Sequence, residues 1–345
     1  MQLLREYKLM EFSAKTEKTL FLSALPGVGA KTLLSLKKLD LEIFNTPTKE
    51  LLSFLPMIKK KMGHDDLLKA EEYAKRNIDK AHEMGHKILT IFDHDYPELL
   101  ENIPDAPPIL FCSGNTEILN KKSLAIIGTR EPTEHGAVIA ERVTAWFTER
   151  GWTIVSGLAK GIDSIAHKTC LENNGKTAAV LAHGLEKVYP AENKALATEI
   201  TMTGGLLVSE YAYNTPTFKT NFVQRDRVQA ALSAAVTLIQ TDIKGGSLHA
   251  SKAALKYKRN LIVVGQSQYD IETQATKSQG NLRLLSEGKG AFLDLFNDSK
   301  LEEELLIKMF SKREYESAER KVIETLALST CAPNIQTMSR STALI

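Results

Sequence analysis

Six short apolar runs recur through the middle of the chain and define its predicted architecture. They begin near residue 124 and are rich in Val, Ile, Leu and Ala, while the stretches between them, such as 135–151 and 246–259, have helical spacing. Continuous apolar strands that alternate with helices are typical of a parallel sheet covered on both faces. We therefore predict an α/β, doubly wound, mostly parallel Rossmann-like domain over residues 121–295. The predicted strands are 124–128, 152–157, 177–184, 205–210, 234–240 and 261–265.

The segments on either side of this domain have a different sequence pattern. Residues 1–85 are predicted to form a helical domain, in which two amphipathic runs of segment 22–39 are joined by a tight turn. Residues 86–120, with four prolines between 94 and 115, are predicted to be a turn-rich linker or lead-in to the compact domain. Residues 296–345 are predicted to be a helical extension with helices at 301–310 and 317–328. Both a truncated winged-helix-like unit and a packing appendage fit that extension.

Composition narrows the class of protein. The chain has 44 Lys+Arg against 42 Asp+Glu, so it does not bind nucleic acid through bulk charge, although residues 121–300 hold 22 against 17. No run of about 18 apolar residues predicts a membrane span. The three cysteines are scattered, which argues against a disulfide framework and a zinc site. We expect a cytoplasmic protein without metal, cofactor or membrane partner.

Small residues and isolated cations follow several predicted strands. Gly128, Thr129 and Arg130 follow the first, Ser156 and Gly157 end the second with Lys160 shortly after, and Gly246 and Ser247 open a late helix. Ligands of open α/β sheets bind beyond these strand ends, where glycines permit close approach and helix amino termini attract anions. The pattern predicts an anion-binding site along the carboxyl ends of the strands, with few acidic residues. Tight turning into helices would also account for the glycines.

The segment 218–227 alternates aromatic and cationic residues after a proline turn. Aromatic platforms beside cations suit single-stranded nucleic acid, because bases stack and phosphates require positive charge. A helix start whose arginines lie along the surface has the same pattern.

Asp163 and His167 are four residues apart on one predicted helix, as in an acid–base pair. A capping Asp beside a packed His would have the same spacing. The histidines and cysteines form no recognisable ligand set, so no catalytic or metal-ligating residue is predicted.

Together these motifs resemble the DNA-processing protein A family (DprA, also called Smf). The family pattern runs in order through segments 127–130, 156–167, 183–190, 209–210, 222–227, 246–247 and 280–291. Val223 and Asp226 stand where the family motif has Pro and Asn, so the chain resembles a diverged member.

The resemblance implies a non-catalytic, dimeric protein that holds single-stranded DNA and loads a RecA-type recombinase in natural transformation and competence. It implies that Arg130 binds phosphate, that Lys219 and Phe222 grip a phosphate and stack a base, and that Arg225 and Arg227 line the same pocket. It also implies a helix-hairpin-helix in segment 22–39. The expected DNA- and phosphate-binding residues are Gly128, Thr129, Arg130, Ser156, Gly157, Lys160, Lys219, Phe222, Arg225, Arg227, Gly246 and Ser247.

Two other functions fit the predicted fold. The superfamily includes LOG-type nucleoside-monophosphate phosphoribohydrolases, and segment 244–249 keeps the two glycines of their motif but lacks its threonine and glutamate. A nucleotide-binding sensor, including a defence-associated relative of DprA, is the other.

Overall fold

The computed structural model describes residues 12–37 and 62–331. Its first helices are α1 (Ala14–Ala24), α2 (Ala30–Lys37) and α3 (His64–Met84). The Ser13 hydroxyl accepts a hydrogen bond from the Thr16 amide and so caps α1. Gly27, with a φ of +82°, makes the turn between α1 and α2 at the predicted place. The rest of the predicted helical domain, residues 1–11 and 38–61, lies outside the described residues.

Within the described residues, nine strands form one sheet in the order β1-β2-β6-β5-β4-β3-β7-β8-β9. The chain starts the parallel part at the centre with β3, adds β4 to β6 on one side, and then places β7 to β9 on the other. This is a doubly wound sheet whose strand order reverses between β3 and β7, as predicted. The strands are β1 (Lys87–Thr90), β2 (Ile109–Gly114), β3 (Ser123–Ile127), β4 (Thr153–Ser156), β5 (Thr177–Leu181), β6 (Leu206–Ser209), β7 (Ala235–Leu238), β8 (Asn260–Val264) and β9 (Leu306–Met309).

Helices cover both faces of the sheet. Successive residues of β3 alternate between two cores, with Leu124 and Ile126 in one and Ala125 and Ile127 in the other. No described helix combines the length and apolar character that a membrane span requires. The helices are α4 (Glu98–Glu101), α5 (Glu134–Glu149), α6 (Ile162–Glu172), α7 (Lys194–Met202), α8 (Lys219–Ala231), α9 (Ser247–Lys256), α10 (Gln268–Glu272), α11 (Gln279–Ser286), α12 (Lys289–Phe296) and α13 (Tyr315–Cys331).

The segment 86–120 is part of the sheet, so its prediction as a linker is wrong. β1 pairs antiparallel with β2, and β2 pairs antiparallel with β6. The prolines that suggested a linker lie in the connection between β1 and β2 and in the turn into β2. The short apolar run of β2 is therefore a buried strand, with Leu110 fully buried and Phe111 nearly so.

The segment 301–310 is also mispredicted, because it ends in a strand instead of forming a helix. β9 pairs in parallel with β8 and alternates buried Ile307 and Met309 with outward Lys308. The later helix prediction, 317–328, is right, since α13 covers it. The Trp152 indole N–H donates to Glu319 of α13 over 2.7 Å, so this part of the extension packs on the sheet domain. Residues 332–345 lie outside the described residues.

The inclusion of 86–120 in the sheet predicts a large stability cost for Leu110→Ala. The substitution removes a fully buried side chain from β2, and such truncations cost about 2–5 kcal/mol of unfolding free energy. Urea denaturation measures it. Leu68→Ala, at a leucine of α3 that is 49% exposed, is the matched control and should cost at most about 0.5 kcal/mol. If Leu110→Ala and Leu68→Ala cost equally little unfolding free energy, segment 86–120 is a linker and not part of the folded sheet.

Candidate functional site

A crevice of about 550 Å³ opens where the strand order reverses, between the loop after β3 and the amino end of α9. Helix α8 supplies one of its walls. The structure brings together here seven of the residues predicted from the sequence, namely Gly128, Thr129, Arg130, Phe222, Arg225, Gly246 and Ser247. The topological switch point of a doubly wound sheet is where such folds bind ligands.

Two glycines of this edge are required by close packing. A Cβ on Gly128 would lie 2.6 Å from the Ile162 side chain. A Cβ on Gly157 would lie 2.1 Å from Nη1 of Arg225. Both distances are far below van der Waals contact, so these glycines let α6 and Arg225 approach the strand ends. Ser156, another predicted site residue, is fully buried and its hydroxyl donates to the Ile126 carbonyl, so it joins β4 to β3.

Arg130 and Phe222 form a ridge at the mouth of the crevice. The Arg130 guanidinium lies 5.7 Å from the centre of the Phe222 ring, a cation–π contact. The Tyr189 ring meets Phe222 edge-on at 5.6 Å and is itself 53% exposed. The ridge thus combines a cation with two aromatic rings.

Lys219 lies three residues before Phe222 and is exposed at the first turn of α8. In the part of the chain that the structure describes, no carboxylate lies within 4.0 Å of the charged nitrogens of Arg130 or Lys219. Both cations are therefore available to an anion from solution, and the free backbone amides at the start of α8 add to the positive potential.

On the other side of the ridge lies a smaller pocket of about 60 Å³, whose walls include Gly157, Lys160, Tyr189 and Pro190. The Lys160 ammonium is 2.7 Å from a Glu192 carboxylate, and both side chains are more than half exposed. Exposed pairs of this kind contribute little energy, so Lys160 can exchange Glu192 for another anion at low cost.

Arg225 lines the crevice but does not present its charge to solvent, so its predicted role as a DNA- or phosphate-binding residue is not served by a free guanidinium. The side chain is buried, and Nη1 donates to the carbonyls of Gly157 and Val180, the latter over 2.7 Å. Nε donates to Asp226 over 3.1 Å. Arg225 therefore fastens α8 to the carboxyl ends of β4 and β5 and forms the floor of the site.

Arg227 does not line the crevice at all, which corrects a second prediction. Its guanidinium pairs with Glu210 after β6 and donates to the Asp105 carbonyl over 2.8 Å. Two residues along a helix turn the side chain about 200°, so Arg227 faces the 86–120 segment instead.

The interior of the crevice is more acidic than the sequence predicted. Asp163 and Asp226 both line it, and burial raises the pKa of each carboxyl, that of Asp226 to about 6. Arg225 opposes both shifts. Asp226 was overlooked as a site residue because its neighbours in sequence are cations, and it enters from α8 instead of from a strand-end loop.

Asp163 and His167 do not form an acid–base pair. Asp163 accepts hydrogen bonds from the amides of Gly157 and Ala159, over 3.2 and 3.3 Å. His167 shares a 2.6 Å hydrogen bond with Thr177, and burial lowers its pKa to about 3. In residues 12–37 and 62–331, no three His, Cys, Asp or Glu side chains are grouped closely enough to hold a metal ion.

Sequence reasoning also left Tyr189, Gln229 and Lys244 out of the candidate site. Gln229 is buried in the crevice wall one helical turn after Asp226. The positions 222, 225, 226 and 229 follow the helical repeat of α8, and this spacing was the available signal. Lys244 is an exposed cation in the loop before α9.

Comparisons with known proteins identify relatives over most of the chain. The family model for "DNA recombination-mediator protein A" matches residues 87–302. The curated Protein Smf of Synechocystis is 34% identical over 241 residues, which is 69% of this chain and 58% of the relative. The chain thus spans less than two thirds of that relative's length.

Two solved structures are similar to this chain over more than two thirds of its length. DNA processing protein A from Streptococcus pneumoniae has a TM-score of 0.66 and 28% identity, with coverage of 81% of this chain and 94% of that one. DNA processing protein A from Helicobacter pylori has a TM-score of 0.55 and 27% identity, covering 68% and 96% respectively.

The raised pKa of Asp226 predicts a specific pH dependence of stability. The folded protein holds this proton up to about pH 6, whereas the unfolded chain releases it near pH 4. The folded state therefore binds more protons across that window, and stability falls as the pH rises from about 4 to about 6. Urea denaturation at a series of pH values measures the effect.

Asp226→Asn lacks the titrating group and is the control for this measurement. The difference in unfolding free energy between wild type and Asp226→Asn should change between pH 4 and 6, to the disadvantage of wild type, and stay level above about pH 7. A difference that is constant across the whole range would show that this carboxyl titrates normally.

Proposed function

The chain belongs to the DNA recombination-mediator protein A family, and from this premise we propose that it binds single-stranded DNA along the ridge of Arg130 and Phe222. The observation that carries the proposal is an exposed Arg130 in contact with the Phe222 ring, with the exposed Lys219 three residues earlier in α8 and no carboxylate of the described residues paired with either cation. Phosphates would lie on the cations and bases against Phe222 and Tyr189. Every base has a face that stacks, so such a site has little sequence preference.

The structural relative from Helicobacter pylori supports the same activity, because its structure was reported for a single-stranded DNA binding mode. Charge supports it as well. A chain with a net charge of +2 has no basic coat, so affinity must come from a few cations at one place. Arg130, Lys219 and Lys244 are exposed at the carboxyl edge of the sheet and meet that requirement.

We further propose that the protein works by holding DNA in the cytoplasm, as a homodimer without catalysis, and that it loads a RecA-type recombinase during DNA uptake. The support is family membership. The test is whether the protein speeds assembly of a RecA-type recombinase on single-stranded DNA covered by a single-strand-binding protein. An unchanged assembly rate would remove the loading role and leave DNA binding intact.

The alternative phosphoribohydrolase activity gains no support from the site. The buried Asp163 and His167 are engaged with separate partners, and segment 244–249 departs from the hydrolase motif. Release of free base from nucleoside monophosphates would establish that activity. Thermal stabilisation by nucleotides but not by oligonucleotides would instead identify a nucleotide sensor.

Arg130→Ala and Lys219→Ala are each expected to weaken binding of an oligo-dT probe about tenfold at low salt, because each removes one phosphate contact. Each should also reduce the slope of log affinity against log salt concentration by about 0.7. Fluorescence anisotropy across a salt series measures both quantities.

Lys121→Ala is the matched control, since Lys121 is an exposed lysine just before β3, at the opposite edge of the sheet. It changes the net charge equally and should leave the affinity within about twofold. Phe222→Ala is the contrasting variant, expected to lower the affinity while keeping the salt slope, because stacking releases no counterions. Binding that is insensitive to salt, or equally weakened by Lys121→Ala, would refute the proposed interface.

A further inference from the structure

The crevice behind the ridge has a polar lining that does not suit phosphate. Four carboxylates contribute to it, from Glu131, Asp163, Asp226 and Asp242. Of its cations, Arg225 is committed to backbone carbonyls and Asp226, Lys277 pairs with Glu131 at 3.2 Å, and Arg130 and Lys244 are exposed to solvent. A phosphate driven into this crevice would meet buried carboxylates. Phosphates can stay on the exposed cations, whereas the group best suited to the inner wall beside Asp163 and Asp226 is uncharged.

Asp226 presents a hydrogen-bond acceptor to the crevice. Its Oδ1 accepts from both Arg225 Nε and Gln229 Nε2, each over 3.1 Å. Oδ2 has no hydrogen-bond partner among the described residues, and it is not among the fully enclosed atoms. The carboxyl is ionised at neutral pH, because its pKa of about 6 lies below that value.

Gln229 fixes the orientation of the Asp226 carboxylate. Its side chain is 2% exposed, and its Oε1 is buried without a hydrogen-bond partner in the part of the chain that the structure describes. The amide cannot be turned round to satisfy that oxygen, because the carboxylate of Asp226 requires the N–H groups. Because Gln229 Oε1 is enclosed, the acceptor on this wall that a ligand can reach is Oδ2 of Asp226.

An uncharged ring with an N–H donor on its edge would complete this wall. We propose that the crevice receives one base of the bound strand, and that Asp226 Oδ2 accepts a hydrogen bond from the exocyclic amino group of cytosine or adenine. Thymine and uracil carry a carbonyl at the corresponding position and would place an acceptor against the carboxylate. The inference rests on the proposed function, since the same strand keeps its phosphates on Arg130 and Lys219. Phe222 lines both the ridge and the crevice and offers the entering base a ring to contact.

The experiment compares 12-nucleotide oligodeoxycytidine and oligodeoxyuridine by fluorescence anisotropy at pH 7.5. The two bases differ in bearing an amino group or a carbonyl at position 4 and, next to it, an acceptor nitrogen or an N–H at position 3. Wild type should bind the cytidine probe about tenfold more tightly. The cytosine amino group gains a hydrogen bond to the charged carboxylate, whereas the uracil carbonyl is repelled by it. Equal affinity for the two probes would overturn the inference and leave the proposed function standing. Failure to bind either probe would refute both.

Asp226→Asn makes the assignment to one atom testable. Arg225 Nε and Gln229 Nε2 would hold the amide oxygen at the position of Oδ1, so the amide nitrogen would face the crevice as a donor. The preference should disappear or turn toward uridine. Asp242→Asn removes an equal charge from the same crevice and should strengthen both probes alike while keeping the cytidine preference. If the cytidine preference is lost in Asp242→Asn and kept in Asp226→Asn, the acceptor is Asp242, and the assignment to Asp226 is overturned. Circular dichroism of both variants checks that they are folded.

Discussion

The buried guanidinium of Arg225 determines how the site is assembled. A buried cation is tolerated only where hydrogen bonds and an opposite charge compensate its lost hydration, and here two strand-end carbonyls and Asp226 do so. These bonds hold α8 against the carboxyl ends of β4 and β5. One turn earlier on α8, Phe222 is placed beside Arg130, and one turn later Gln229 is placed behind Asp226. Gly157 must lack a side chain because the guanidinium occupies the space that a Cβ would need.

The central sheet was predictable from sequence because its strands are buried on both faces and appear as continuous apolar runs. Edge strands leave a weaker pattern. β9 buries only Ile307 and Met309, and the neighbouring acids and leucines of 301–306 gave it a helical appearance. β2 has a clear apolar run, yet the prolines beside it favoured a linker. Both errors arise because pairing with distant strands, which the sequence does not display, decided the conformation.

The cations of segment 219–227 show where prediction of the site stops. The sequence identifies Lys219, Arg225 and Arg227 as equivalent positive charges. In the folded protein, Lys219 is exposed, Arg225 is buried and holds α8 against the sheet, and Arg227 pairs with Glu210. The helical repeat anticipates that Arg225 and Arg227 face different ways. It does not say which face meets the sheet, because that depends on how α8 docks.

The contact between Trp152 and Glu319 bears on where the folding unit ends. The family match stops at residue 302, before β9 and α13. A chain cut there would leave the backbone of β8 as an open edge and would uncover Trp146 and Trp152, which Tyr315 and Glu319 now contact. Open edges of this kind pair readily with other chains. The packed unit therefore extends beyond the residues that the family model matches, and a fragment that ends at residue 302 would be prone to aggregate.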